Sequence, residues 1–115
     1  MSRTRIFKVS EMTESDMLSA AHALDEGAVS VVPTDTVYGI GTGAFCEESV
    51  LRIYQIKARP ATSPLQILTG SVAQAKAVAQ FSGDAERLAQ TYWPGAITII
   101  LPPTPQGKNL TRVFK

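Results

Sequence analysis

The sequence predicts an α/β domain, an open mixed sheet with helices packed on it. Three features carry that expectation. The apolar runs "AVSVV" (Ala28–Val32) and "AITIIL" (Ala96–Leu101) lie between glycine and proline and suit strands buried on both faces. Helix-capping patterns open separate stretches at Thr13, Ser71 and Ser82. Strand and helix signals then alternate as β-α-β-β-α-β-α-α-β, the pattern of an α/β or mixed sheet.

The elements follow in chain order. Ile6–Val9 suits a short first strand. A helix is predicted over Thr13–Glu26: Thr13 can accept from the first-turn amides, Asp16 occupies the capping-box position, and Met12 with Met17 can form a hydrophobic staple. Met17, Ala20, Ala21 and Leu24 recur at helical spacing and make one apolar face. Gly27 supplies a left-handed stop. After the "AVSVV" strand, a second helix is predicted over Glu47–Ile56, with acids in its first turn and Val50, Ile53 and Tyr54 facing inward. Pro60 disfavours the α region at Arg59, so the helix ends before it and the chain leaves extended. "LQIL" (Leu65–Leu68) reads as a strand. Ser71 with Gln74 opens an alanine-rich helix to about Gln80, and Ser82 caps another to Tyr92. "WPG" is a turn, and Pro102 and Pro103 end the "AITIIL" strand. No internal repeat is evident.

Composition sets the outer bounds. The 115 residues make one domain, 1–115. With 44 % hydrophobic and 18 % charged residues the chain can form a packed core. Eleven Lys and Arg stand against 10 Asp and Glu, so global charge calls for neither a nucleic-acid nor a membrane partner and leaves only a local patch open. Cys46 is the only cysteine, which rules out an intrachain disulfide and fits a cytoplasmic setting. No apolar run approaches the ~18 residues of a membrane span and the first residues lack the charged-then-apolar pattern of a signal peptide, so neither is expected. "PPTPQGKNLTRVFK" (102–115) is expected to be a loop or a frayed end, the mark of a domain truncated at its C-terminus.

The stretch "VVPTDTVYGIGTG" (Val31–Gly43) concentrates the candidate chemistry. If Pro33–Gly43 runs extended, Thr34, Thr36 and Tyr38 share one face and present three hydroxyls, while Gly39, Gly41 and Gly43 leave bare backbone on the other. Glycine inside a strand marks close approach by a ligand or by another backbone. Tight strand-on-helix packing with threonines as simple β-formers explains the same pattern. Gly39, Gly41 and Ala44 match G-x-G-x-x-A formally, but no Asp or Glu occurs between Glu48 and Asp84, so the ribose-binding acid of a dinucleotide fold is missing. No P-loop motif is present.

"KARP" (Lys57–Pro60) is the second constellation. With Arg59 held extended by Pro60, Lys57 and Arg59 can point to one side and meet an anionic ligand, Arg by a bidentate grip and Lys as a point charge. Taken alone, the two cations are explained more simply as a solvated helix end interacting favourably with the helix dipole. His22 reads as a surface residue off the main apolar face, and Cys46 as buried and inert. With a single histidine, Ser/His/Asp or Cys/His catalysis has little support.

Taken in order, "PTDTVYGIG", "KARP" followed by "SPL", and "YWPGAITIIL" resemble the YrdC-like family of L-threonylcarbamoyladenylate synthases, over about Ala20–Leu101. The resemblance implies a twisted open α/β sheet whose concave side holds a basic cavity. It implies as substrates L-threonine, bicarbonate and ATP with Mg2+. The carbamate of threonine would attack the α-phosphate, releasing pyrophosphate and leaving threonylcarbamoyl-AMP for a transferase that modifies adenosine 37 of tRNA. Carried over by position, Thr34, Thr36 and Tyr38 would form the threonine-side wall. Lys57 and Arg59 would contact phosphate and carboxylate and carry the catalysis. The family's Ser-x-Asn nucleotide motif does not occur, and Ile67 and Leu68 stand where many members have a histidine. Part of the nucleotide wall is therefore expected beyond Lys115. Two other readings attach to the same resemblance: a carbamoyl-transfer domain of the hydrogenase-maturation kind, and a non-catalytic protein binding double-stranded RNA or tRNA.

Overall fold

The structure, a computed structural model, describes residues 4–60 and 63–112. Helix α1 (Glu14–Asp25) leads into strands β1 (Ser30–Val32) and β2 (Gly39–Gly41), then α2 (Glu47–Ile56), α3 (Val72–Val78) and α4 (Gly83–Tyr92). Short 3-10 turns lie at Val9–Glu11 and Gly107–Arg112. The class is α/β, as the sequence predicts.

Capping governs the helices. At α1 the Thr13 hydroxyl accepts from the Asp16 amide and the Asp16 carboxylate accepts from the Thr13 amide, both at 3.1 Å, so two otherwise orphaned donors are satisfied. Gly27, at φ +95°, ends the helix; its amide donates to the Leu24 carbonyl at 3.1 Å, and Ala28 donates to Ala23 at 2.9 Å. That pair of bonds is the Schellman motif. Ser71 and Ser82 cap α3 and α4 by accepting from Gln74 and Ala85 at 3.1 Å. Gln74 reaches back to the Gly70 amide at 2.5 Å.

Helix α2 forms over the predicted residues and buries the predicted face. Val50, Ile53 and Tyr54 are each at most 4 % exposed, and Leu65 packs against Val50 and Tyr54. Ser49, also buried, donates its hydroxyl to the Gly27 carbonyl at 2.6 Å and so ties α2 to the end of α1. The other buried apolar residues are Ala75 of α3, Ala85 and Ala89 of α4, and Leu110. The 3-10 turn at Gly107–Arg112 stands where the sequence suggests a loop; residues 113–115 lie outside the described residues. Thr104 anchors this turn by donating its hydroxyl to the Ala77 carbonyl at 2.6 Å.

Several strand and packing expectations are corrected. Among the described residues one sheet forms, an antiparallel pair in which Val31 stands opposite Ile40. The "AVSVV" strand shortens to Ser30–Val32, and Val31 is 66 % exposed, so it is not buried on both faces. Ile6–Val9 gives no strand, and Ile6 is exposed. Leu65–Leu68 and Ala96–Leu101 meet where the Gln66 side chain donates to the Thr98 hydroxyl at 2.8 Å, but neither forms a strand. Ile100 is 93 % exposed. A strand is defined by a neighbour that pairs with its amides and carbonyls, and β-rich composition does not supply that neighbour. Helix α1 buries no residue fully, and Met17 of its predicted apolar face is exposed, because the contacts that tie it in lie at its C-terminal end. There Leu24 accepts from Gly43, and the half-buried Cys46 thiol contacts the Asp25 carbonyl at 3.4 Å.

Candidate functional site

The segment between β1 and β2 is not extended; it reverses. Pro33 ends β1, and Thr34 closes the turn with its own hydroxyl, which donates to the Val37 carbonyl and accepts from the Thr36 amide at 3.3 Å. The alternation expected over Pro33–Gly43 is therefore broken at Asp35–Val37. Thr34 and Thr36 nevertheless meet, their hydroxyls 3.3 Å apart. Tyr38 is 65 % exposed.

A cleft of about 980 Å³ opens beside these threonines. Its walls are the segments 64–72 and 97–101, the inner side of α3, and the Phe81 and Trp93 rings, which meet edge-to-face with centroids 6.2 Å apart. The Trp93–Pro94 peptide is cis. The Trp93 ring nitrogen donates to the Ile97 carbonyl at 2.8 Å, which ties the "WPG" turn to the wall at 97–101. A smaller recess of about 170 Å³ adjoins it, bounded by Asp35, Thr36, Gln66, Leu68 and residues 95–98. The two share Asp35, Gln66, Leu68, Gly95, Ile97 and Thr98, of which Asp35, Gln66 and Thr98 carry polar side chains. Thr34 lines the larger space and Thr36 the smaller. An apolar cleft with a few convergent hydroxyl, amide and carboxylate groups is the usual form of a small-molecule site.

Asp35, Gln66 and Thr98 are site residues that motif reading passes over. Their only signal is a polar side chain set in an otherwise apolar or hydroxyl-rich run: "LQIL", "AITIIL" and "TDT".

The cations sit at the end of α2. Lys57 is its C-cap, and Ala58 takes φ +51° in the left-handed region. The Ala58 amide donates to Gln55 at 3.2 Å and the Arg59 amide to Tyr54 at 3.0 Å, the same Schellman pair that ends α1. The backbone between Lys57 and Arg59 is thus kinked at Ala58, and the helix ends before Arg59 as Pro60 predicts. Arg59 is half-buried, and its guanidinium approaches the carbonyl of Pro64 at 3.5 Å. Pro64 lines the large cleft, so Arg59 stands at its rim. Lys57 is exposed, and neither it nor Arg59 nor Tyr38 belongs to the described lining of either space. Among the described residues neither Lys57 nor Arg59 forms an ion pair, so both retain a charge to offer an anion. No group of three His, Cys, Asp or Glu able to hold a metal occurs among the described residues.

Comparison with known proteins bears on this geometry. The Sua5/YciO/YrdC family model, described as telomere recombination, matches residues 22–114. A threonylcarbamoyl-AMP synthase of Pyrococcus abyssi is 43 % identical over 84 residues, covering 72 % of this chain and 25 % of the relative. One of Bacillus subtilis is 37 % identical over 101 residues, covering 83 % of this chain and 28 % of the relative. The crystal structure of P. abyssi Sua5 complexed with L-threonine superposes with a TM-score of 0.81 at 35 % identity, over 91 % of this chain and 31 % of that one. The chain spans between a quarter and about half of the length of the curated relatives it matches, from 25 % to 54 %.

Proposed function

The chain belongs to the Sua5/YciO/YrdC family, and we propose that it acts in the synthesis of threonylcarbamoyl-AMP, binding L-threonine beside Thr34 and Thr36. The observation that carries this reading is the TM-score of 0.81 to a Sua5 structure that was complexed with L-threonine. The identity of 43 % to a relative named threonylcarbamoyl-AMP synthase supports the reaction.

In this reading the substrates are L-threonine, bicarbonate and MgATP. The amine of threonine and bicarbonate give a carbamate with loss of water. A carbamate oxygen then attacks the α-phosphorus, the bond to the bridging oxygen breaks, and pyrophosphate leaves. Each reactant brings negative charge, so the site must gather anions and hold them in line. Arg59 at the cleft rim suits a carboxylate or phosphate by its planar fork, and Lys57 adds a mobile positive charge. The Thr34 and Thr36 hydroxyls, already adjacent, suit the polar groups of threonine, with Tyr38 flanking them. Magnesium arrives on the phosphates of ATP, where it needs few protein ligands. The product would feed a transferase acting on adenosine 37 of tRNA, in the cytoplasm. Among the described residues no helix is long and apolar enough to cross a membrane.

The test is product formation. The chain is incubated with MgATP and labelled bicarbonate, with and without L-threonine, and threonylcarbamoyl-AMP and pyrophosphate are measured. The expected outcome is a labelled product that requires all three substrates. ATP breakdown indifferent to threonine, or no product, would contradict the proposal.

A further inference from the structure

We propose that Tyr54 is the positioning residue of the cationic segment, holding Arg59 at the cleft rim from two directions. This rests on the reading of Arg59 as an anion-gripping side chain.

Tyr54 lies in the last turns of α2 and is 4 % exposed. Its ring packs in the small core with Val50 and Leu65. A phenol buried this deeply must find an acceptor or bear the cost of desolvation. It donates to the carbonyl of Ser63 at 2.5 Å. The backbone carbonyl of the same residue accepts from the Arg59 amide at 3.0 Å. One residue therefore grips the near end of the segment at Arg59 and the far end at Ser63, next to Pro64, whose carbonyl the Arg59 guanidinium approaches.

The kink just before this segment, at Ala58, is spanned by the same Tyr54 carbonyl. Ala58 stands at φ +51°, a region that disfavours any side chain. A strained position persists only where its surroundings over-determine it, and such positions cluster at ligand sites. The kink sets the relative directions of Lys57 and Arg59, so loosening the Ser63 anchor lets Arg59 swing from the rim. Packing alone does not require the hydroxyl: phenylalanine would fill the same space. The hydroxyl bond adds a directional tie, at Ser63, to the packing of Leu65 that already joins the core of α2 to the cleft wall.

The test uses the whole chain and Tyr54→Phe. Amide hydrogen exchange is read by NMR without ligand, and MgATP is the titrated probe. Exchange of the Arg59 amide should quicken by about 2- to 12-fold, the equivalent of one ordinary hydrogen bond, while amides of α4 keep their protection. The Kd for MgATP should rise by a similar factor in the wild-type background and not rise further when Tyr54→Phe is added to Arg59→Ala. Unchanged Arg59 exchange, a matching loss of protection in α4, or effects of the two substitutions that simply multiply would overturn the proposal. A chain that binds no MgATP at all would instead remove the nucleotide part of the proposed function, and the exchange measurement would still decide the role of Tyr54.

Discussion

Replacing Ala58 by glycine should stabilise the protein, although it deletes a methyl group and adds no contact. Ala58 occupies the C′ position of α2 at φ +51°, where glycine stands in the same motif at the end of α1. The left-handed conformation costs an L-residue about 1–2 kcal/mol relative to the right-handed one. Glycine avoids that cost but gives the unfolded chain more freedom, which offsets about 0.4–1 kcal/mol. Ala58 is exposed, so no packing is lost. The net expectation is a gain of about 0.7 kcal/mol, or roughly 2–4 °C in Tm for a domain of this size. Urea and thermal unfolding followed by circular dichroism measure it. Gly27→Ala is the opposite experiment on the same motif. Gly27 stands at φ +95°, and an added Cβ would lie 2.9 Å from the Ser49 hydroxyl oxygen, itself bonded to the Gly27 carbonyl. Strain and the displaced bond together should cost about 1–3 kcal/mol. A midpoint lowered by Ala58→Gly, or unmoved by Gly27→Ala, would refute this account of how the two helices end.

Two substitutions address the site. Arg59→Ala should weaken MgATP binding by about 10- to 150-fold, the value of a hydrogen bond to a charged group, and calorimetric titration with wild-type affinity would exclude Arg59 from it. Thr36→Val keeps the shape and removes a hydroxyl beside the recess; L-threonine affinity should fall about 2- to 12-fold in a fluorescence or calorimetric titration, with Tm within 2 °C of the parent, roughly the spread of exposed-site changes.

Local chemistry was the legible part of this molecule. The capping box of Thr13 and Asp16, the Gly27 stop, and the inward face of α2 at Val50, Ile53 and Tyr54 all follow from residue type and spacing, and all form. The strands were less legible. "LQIL" and "AITIIL" have strand composition, yet pairing depends on a partner elsewhere in space, and the two are joined by their Gln66 and Thr98 side chains without forming strands. The candidate site divided along the same line. Thr34 and Thr36 do come together, through a hydroxyl-closed turn and not through strand alternation. The kink at Ala58 left no sequence signal, because alanine gives no hint of a left-handed residue. Asp35, Gln66 and Thr98 become neighbours only when the chain folds the turn against the two apolar segments.

The most direct measurement of the central claim is an NMR titration of the chain with L-threonine, read at the amides of Thr34, Thr36, Gln66 and Thr98. Saturable shifts confined to this group, and absent with L-valine, which has the same shape without the hydroxyl, are the predicted result. No shift at these amides, or equal shifts with L-valine, would contradict the assignment of this cleft to threonine.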